Sequence, residues 1–250
     1  MNPAVSIITP AYNAARFLRE TLDSAIGQTF SDWELLLIDD CSTDSTSEII
    51  REYAKRDSRI RPMKTVANTG IPSEVRNIGI RAAKGRYIAF LDADDIWLPN
   101  KLAEQLECIR GHDCGMVFSD YEKMDESGML AGRIVKGPDS VTYRQLLCGN
   151  VVLQSSGLFD VEKIGKPEFA AVHHEDFKFW LDVLKRTSKA VNTGKVHVHY
   201  RVRFRSLSGN KLRAMLWTWH VYRKAERLPI LLSLYCFAQY LAYAGLKFLK

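Results

Sequence analysis

The sequence predicts an α/β fold: a mostly parallel sheet flanked by helices, followed by a C-terminal helical tail. Three features predict it. In the first 120 residues, short apolar runs rich in Val, Ile and Leu alternate with stretches whose apolar residues recur at helical spacing. That alternation reads as strand–helix–strand crossovers and a sheet covered on both faces. Two of the apolar runs end in acidic turns, Asp39-Asp40 and Asp92-Ala93-Asp94-Asp95. After residue 210 the chain becomes basic and aromatic, then apolar without interruption. A length of 250 residues with 46% hydrophobic and 26% charged residues excludes a disordered chain, a collagen-like repeat and a disulfide-stapled mini-protein.

The elements follow in order. Residues 5–9 are β-branched and stop at Pro10, which reads as a buried strand. Phe17, Leu18, Thr21, Leu22, Ala25 and Ile26 give a helix over 15–28. Residues 33–38 form a second strand, and 39–44 a turn of helix-capping residues with Asp44 the natural cap. A helix over 45–56, a weaker strand over 60–66 and a helix over 73–83 come next. The strand 87–91 leads into the second acidic turn, then a helix over 99–110 and a strand over 116–118. Beyond residue 120 the pattern weakens: 121–150 reads as irregular or hairpin, 151–159 as a strand, 175–185 as a helix and 195–203 as a strand. In open α/β sheets ligands bind beyond the carboxyl ends of the strands. The two acidic turns should therefore meet at one edge.

The net charge of +6 is unevenly placed. Residues 201–250 hold ten Lys or Arg and one acid, Glu226, leaving 25 basic and 28 acidic residues in 1–200. The body is slightly acidic, so no nucleic-acid partner is expected. Five cysteines without a CxxC pair fit a reduced, cytoplasmic protein. Residues 1–12 have neither the basic n-region nor the apolar h-region of an export signal. Residues 228–246 carry no charge, but Pro229, Ser233, Gln239 and several tyrosines make a poor membrane span. Trp217, Trp219, Arg223, Lys224 and Arg227 just before them suit a helix lying in a membrane interface. A helix packed on the body with a basic outer face would give the same pattern.

Familiar phosphate motifs are missing. The first strand-to-helix turn, Thr9-Pro10-Ala11-Tyr12-Asn13, has no GxGxxG, and the chain has no GxxxxGK[ST] and no GxSxG. Acidic strand ends without a glycine loop point to a divalent cation as the phosphate partner, because Mg2+ and Mn2+ take oxygen ligands and bridge carboxylates to phosphates.

Four segments, VSIITPAYN, LLLIDDCSTDST, RNIGIRAAKGRYIAFLDADDIWLPNKL and HHEDFKFWLDVL, together resemble family 2 glycosyltransferases of the GT-A fold, in the bacterial branch that builds surface polysaccharides. The resemblance spans about residues 3–210 and implies a GT-A domain there. Residues 1–120 would bind the nucleotide sugar, 121–210 would hold the acceptor and catalytic base, and 211–250 would form the tail. It further implies that Thr9, Pro10 and Tyr12 line the base pocket. One of Asp39 and Asp40, Asp40 for preference, would accept the uracil N–H. Arg76 would reach the base or diphosphate, unless it is a surface arginine. Asp92 would meet the ribose or the metal, and Asp94 the metal directly, with Asp95 able to share the load. Asp176 would be the general base, a carboxylate within hydrogen-bond reach of the acceptor hydroxyl. Glu175 would orient or cap, and His174 and Trp180 would lie on the acceptor side. Arg201, Arg203 and Lys211 are the candidates the resemblance offers for stabilising leaving-group charge, without choosing among them, in a loop running through 206–208.

His173, His174, His197 and His199 lack the spacing of a zinc site. The expectation is an inverting, Mn2+- or Mg2+-dependent enzyme moving sugar from a UDP-sugar to a saccharide or lipid-linked acceptor, peripheral at the inner face of the cytoplasmic membrane. A sugar nucleotidyltransferase would want a Gly/Arg-rich first loop, and PAYNAARF supplies none. A non-catalytic membrane-surface module is the remaining alternative.

Overall fold

The computed structural model describes residues 2–203 and 211–249, with side chains for 2–203 and 213–242. The elements run β1 (Val5–Ala11), α1 (Leu18–Ile26), β2 (Trp33–Asp39), α2 (Thr46–Arg56), β3 (Ile60–Lys64), α3 (Pro72–Ala82), β4 (Tyr87–Phe90), β5 (Ile96–Trp97), α4 (Lys101–Gly111) and β6 (Met116–Met124). Then come β7 (Leu130–Val135), β8 (Ser140–Val141), α5 (Tyr143–Leu147), β9 (Leu158–Asp160), α6 (Val161–Ile164), α7 (Glu175–Leu184), β10 (Ala190–Arg201), α8 (Lys211–His220) and α9 (Ile230–Leu249).

The expected parallel sheet is present as β3-β2-β1-β4, paired in parallel throughout. Beyond β4 the sheet is mixed. β9 inserts antiparallel between β4 and β6, β10 runs parallel to β6, and β5 closes the edge antiparallel to β10. β6 and β7 form the hairpin expected in 121–150. β6 runs through residue 120, so one continuous sheet joins the two expected halves.

Three local differences have physical reasons. β1 does not stop at Pro10 but pairs with β2 through Ala11↔Asp39. Its ladder with β4 ends when Leu91 N–H donates to Ile8 O, so the missing Pro10 donor faces a side with no strand to receive it. α1 starts at Leu18 rather than 15, because Thr46 Oγ1 and Asp44 Oδ2 take the N–H groups of Ala14 and Ala15. The strand expected over 151–159 is cut to Leu158–Asp160. Gln154-Ser155-Ser156 form a 3-10 turn whose polar side chains interrupt the apolar run, and Gly157 then passes Trp180 so closely that a Cβ would lie 2.5 Å from the ring.

Pleating sends alternate strand residues to opposite faces. Val5, Ile7, Leu35 and Leu37 meet α1, α2 and α4 on one face. Ile8, Leu36, Ile38 and Phe90 meet α3 and α7 on the other. α3 lies close to β1 because it carries Gly79, where a Cβ would lie 2.5 Å from Ile8 Cγ2. Arg76, one turn earlier on the same helix face, is thereby drawn over the strand ends. Val221, Tyr222, Leu228 and Cys236 from the tail join the α7 face of the core. Among the described residues no helix is long and apolar enough to cross a membrane.

Candidate functional site

The carboxyl ends of β1 and β2 are laced together. Asn13 N–H donates to Ser42 Oγ at 3.0 Å, and Thr43 N–H donates to Asn13 Oδ1 at 2.8 Å. The N-cap position of α2 falls on Ser45 rather than on Asp44, and Asp44 Oδ1 serves the helix from one residue earlier by accepting Thr46 N–H at 2.9 Å. Asn13 and Cys41 hold the left-handed backbone conformation, at φ 46° and 58°. His174, directly before α7, does so at 59°. Non-glycine residues take that conformation at a cost and tend to cluster at functional sites.

Asp39 and Asp40 are both buried. Asp39 accepts from Ser42 N–H at 2.9 Å and from the Ser47 hydroxyl, and these bonds hold its carboxyl below the usual range against the effect of burial. Asp40 accepts from Thr65 Oγ1 at 2.8 Å, Thr69 N–H at 3.0 Å and Thr69 Oγ1 at 2.9 Å. Thr69 N–H also lies 3.1 Å from the second Asp40 oxygen, so both oxygens are engaged and a further donor would have to share them. β2 and β4 flank β1, which sets their ends about 10 Å apart.

The turn after β4 is braced from below. Ser155 Oγ accepts Asp92 N–H at 3.1 Å and donates to Asp95 Oδ2 at 2.5 Å. Asp95 Oδ1 accepts Arg201 N–H at 3.1 Å. Burial, then Asp92 and Asp94, push the Asp95 carboxyl well above the ordinary range. Asp95 is therefore an internal strut, and the sharing of ligand duty expected of it has no exposed oxygen to work with. Asp94 keeps a quarter of its side chain exposed, with Arg203 Nη1 at 3.5 Å.

Arg76 ties this turn to α7. Its Nη2 meets Asp92 Oδ1 at 2.6 Å and its Nη1 lies 3.5 Å from Glu175 Oε1. Burial works against the Arg76 charge, but Asp92 and Glu175, with Asp176 behind them, outweigh it and raise its pKa. So Arg76 is no surface arginine. Burial raises the Glu175 carboxyl, with Arg76 opposing and Asp176 adding to the rise. Asp176 Oδ2 accepts from Asn150 Nδ2 at 3.3 Å and remains half-buried at the helix start. Arg76 thus ties the second acidic turn to the Glu175-Asp176 pair at the start of α7. Arg76→Met would leave two carboxylates facing each other without their cation, with an expected loss of about 3–5 kcal/mol in stability. Urea denaturation measures it, and an unchanged midpoint would mean that the pairing carries no net stability.

Several expected residues sit elsewhere. Thr9 is fully buried on the α1 face beside Ile7 and Ala11, with no surface to offer a base. Pro10 is half-buried and Tyr12 is 53% exposed, so both can touch a ligand. Trp180 is fully buried against Gly157 and Phe179, not on an acceptor surface. Arg201 is 2% exposed: Nε donates to Asp94 O at 2.9 Å, Nη2 pairs with Glu20 Oε2 at 2.6 Å, and Nη1 reaches Glu126 O at 3.2 Å. Its charge is consumed inside the protein, which leaves Arg203, 54% exposed on its side chain, as the described cation beside Asp94. The Lys211 side chain and Ser206, Leu207 and Ser208 lie outside the described residues.

His174 is half-buried next to Glu175, its basicity lowered by burial, and Thr218 Oγ1 lies 3.3 Å from its Nδ1. His173 stacks on Trp217 with ring centroids 4.6 Å apart. His197 falls in a bulge of β10 and is pushed down to about 4, by burial first and then by Lys101. Sequence reasoning missed Ser155 and Asn150, and read Trp217 only as an interfacial aromatic rather than as the partner of His173. The signal for Ser155 was the polar Gln-Ser-Ser inside an apolar run, and Asn150 gave none.

Two carboxylates one residue apart suit a hard divalent cation. Burial and then Asp92 push the Asp94 carboxyl above its ordinary range, with Arg203 opposing, and a cation would relieve that crowding. Among the described residues no three His, Cys, Asp or Glu side chains gather closely enough to hold a metal unaided. Such an ion would complete its shell with phosphate oxygens and water.

The sequence profile of the family described as Glycosyl transferase family 2 matches residues 6–145. A relative in Bacillus subtilis, named putative teichuronic acid biosynthesis glycosyltransferase TuaG, is 36% identical over 239 residues, 95% of this chain and 94% of that one. Another in Escherichia coli, named UDP-Glc:alpha-D-GlcNAc-diphosphoundecaprenol beta-1,3-glucosyltransferase WfgD, is 35% identical over 220 residues, 87% of this chain and 84% of that one. Among solved structures, S. aureus TarS 1–349 in complex with UDP-GlcNAc aligns with a TM-score of 0.73 at 20% identity, over 96% of this chain and 72% of that one. The mannosyltransferase PcManGT of Pyrobaculum calidifontis, in complex with GDP-Man and Mn2+, aligns with a TM-score of 0.70 at 19% identity, over 98% of this chain and 76% of that one.

Proposed function

Since the chain belongs to glycosyltransferase family 2 and has the GT-A fold, we propose that it moves a sugar from a UDP-sugar to a hydroxyl of a lipid-linked saccharide. The transfer inverts the anomeric carbon and serves the synthesis of a cell-surface polysaccharide at the cytoplasmic face of the membrane. The observation that carries this reading is the Arg76 bridge, because it links Asp92 of the second acidic turn to Glu175 beside Asp176. The UDP-sugar and lipid-linked acceptor in the name of WfgD, and the UDP-GlcNAc bound to TarS, support the choice of substrates.

The nucleotide lies across the ends of β1 and β2. Tyr12 offers an exposed ring to the base, and the Asp40 carboxylate at the end of β2 accepts a ring N–H in competition with Thr69. Asp94, with Asp92, would hold a Mg2+ or Mn2+ ion, and that ion would offset the charge growing on the departing diphosphate. Arg76 fixes Asp92, and Arg203 stands beside Asp94 as a second cation toward the same charge. Asp176 takes the proton of the acceptor hydroxyl as its oxygen forms a bond to the anomeric carbon, while the bond from that carbon to the diphosphate breaks on the opposite side. Asn150 steers one Asp176 oxygen and leaves the other for the hydroxyl. Attack opposite the leaving group turns an α-linked donor into a β-linked product.

Ligand-dependent thermal stability tests the donor. At a hundredfold excess over Kd, a ligand that binds only the folded state adds about 2.7 kcal/mol. For a chain of this size that raises Tm by about 5–10 °C. A UDP-sugar with Mn2+ should produce this shift, and the free sugar should not. No shift with any nucleotide sugar would contradict the reading.

A further inference from the structure

We propose that α8 and the first half of α9 form a docking face for a bilayer containing anionic lipid. Ser233 and Cys236 turn inward to the core, and this orients α9. Its outward face presents Ile230, Leu231, Leu234 and Tyr235, with Leu231 78% exposed. α8 adds Leu216, 68% exposed. Contiguous exposed leucines on one helix face mark a surface that works against something apolar.

The charge around the face says what that is. The sole acid of residues 201–250, Glu226, is turned inward. Its side chain is 1% exposed, with Lys178 at 3.2 Å, Lys185 at 2.8 Å and the Tyr143 hydroxyl at 2.5 Å. That cluster removes the only carboxylate from the outer surface of the segment and bolts its π-type turn, Val221–Ala225, to α5 and α7. Lys224 and Arg227 remain exposed, with no carboxylate partner among the described residues. A face of leucines rimmed by cations and emptied of acids complements an anionic lipid surface. A second copy of the chain fits it less well, because a two-fold contact through this face brings cations to cations with no exposed acid from the segment to pair them.

The face also bears on the site. On α8, Trp217 stacks on His173 and Thr218 meets His174, two residues before Asp176. A bilayer seated on α8 and α9 would therefore lie next to the start of α7, where a lipid-linked acceptor must present its hydroxyl. The inference takes its purpose from the acceptor proposed above. Its test contains neither donor nor acceptor, so its failure would leave the transfer chemistry standing.

The test is co-sedimentation of the full chain with vesicles of phosphatidylcholine alone or mixed with phosphatidylglycerol. The chain should bind the mixed vesicles at least about tenfold better, and salt should weaken that binding. Leu231→Glu with Leu234→Glu should lower binding by about tenfold or more. Lys224→Gln with Arg227→Asn should lower it by about fivefold per charge. Circular dichroism checks that each variant folds, and the charge variant decides the matter if the leucine variant does not fold. Equal binding to both vesicles, or binding unaffected by the charge changes, would overturn the proposal. So would a lipid-free dimer that the leucine changes split while wild type ignores vesicles.

Discussion

Replacing Asp176 by asparagine should lower kcat by about two to four powers of ten while leaving donor affinity nearly unchanged. Asparagine keeps the shape of the side chain and can still accept the Asn150 hydrogen bond through its carbonyl oxygen. What it loses is the ability to take a proton. On the proposed reading donor binding depends on the strand ends and the second acidic turn, to which Asp176 is linked only through Arg76, the neighbour it shares with Asp92. Initial rates and UDP-sugar titration on the same protein separate the two effects. A variant with full transfer would remove Asp176 as base. Glu175 would be a poor replacement, since its carboxylate already faces Arg76.

Asp94→Asn should act on the other substrate, weakening donor binding by at least about tenfold and transfer by more. Asp92 is committed to Arg76 on one oxygen at 2.6 Å, whereas Asp94, about as exposed, has Arg203 at the looser distance of 3.5 Å and is the freer of the two to take a cation. Chelation of divalent ions should weaken wild-type binding to the same degree and have no further effect on the variant. If chelation weakens both proteins equally, Asp94 does not serve the cation. If donor titrations of wild type and variant coincide, it serves neither partner.

The fold and the acidic clusters could be read in the sequence because they are local. Period and turn chemistry set β1 through β4, the two acidic turns and α7, and these fall where spacing puts them. What escaped depends on partners far away along the chain. Arg201 looks free in a basic loop, yet its partner Glu20 lies 181 positions earlier. Thr9 sits in a turn motif, but the strand runs past Pro10 and pleating sends it to the buried face. Trp180 shares a helix with Asp176 but points to the core, because apolar spacing identifies a buried face and not what lies beneath it. Arg76 was half-seen: its place before the second acidic turn was visible, and its reach to Glu175, 99 residues on in sequence, was not.

The central claim is that the acidic turn after β4 and the start of α7 bound a single donor site. A crystal structure of the UDP complex grown with Mn2+ tests it most directly, with the metal located by its anomalous signal. The account predicts the Mn2+ peak beside Asp94 and Asp92, and the diphosphate between that peak and Asp176. A rival location exists at the opposite edge of the sheet, where Lys84, Arg86, Arg110 and Lys166 line an open cavity of about 800 Å³ near the start of β1 and β4. Nucleotide bound there, or a metal peak away from Asp94, would contradict the account.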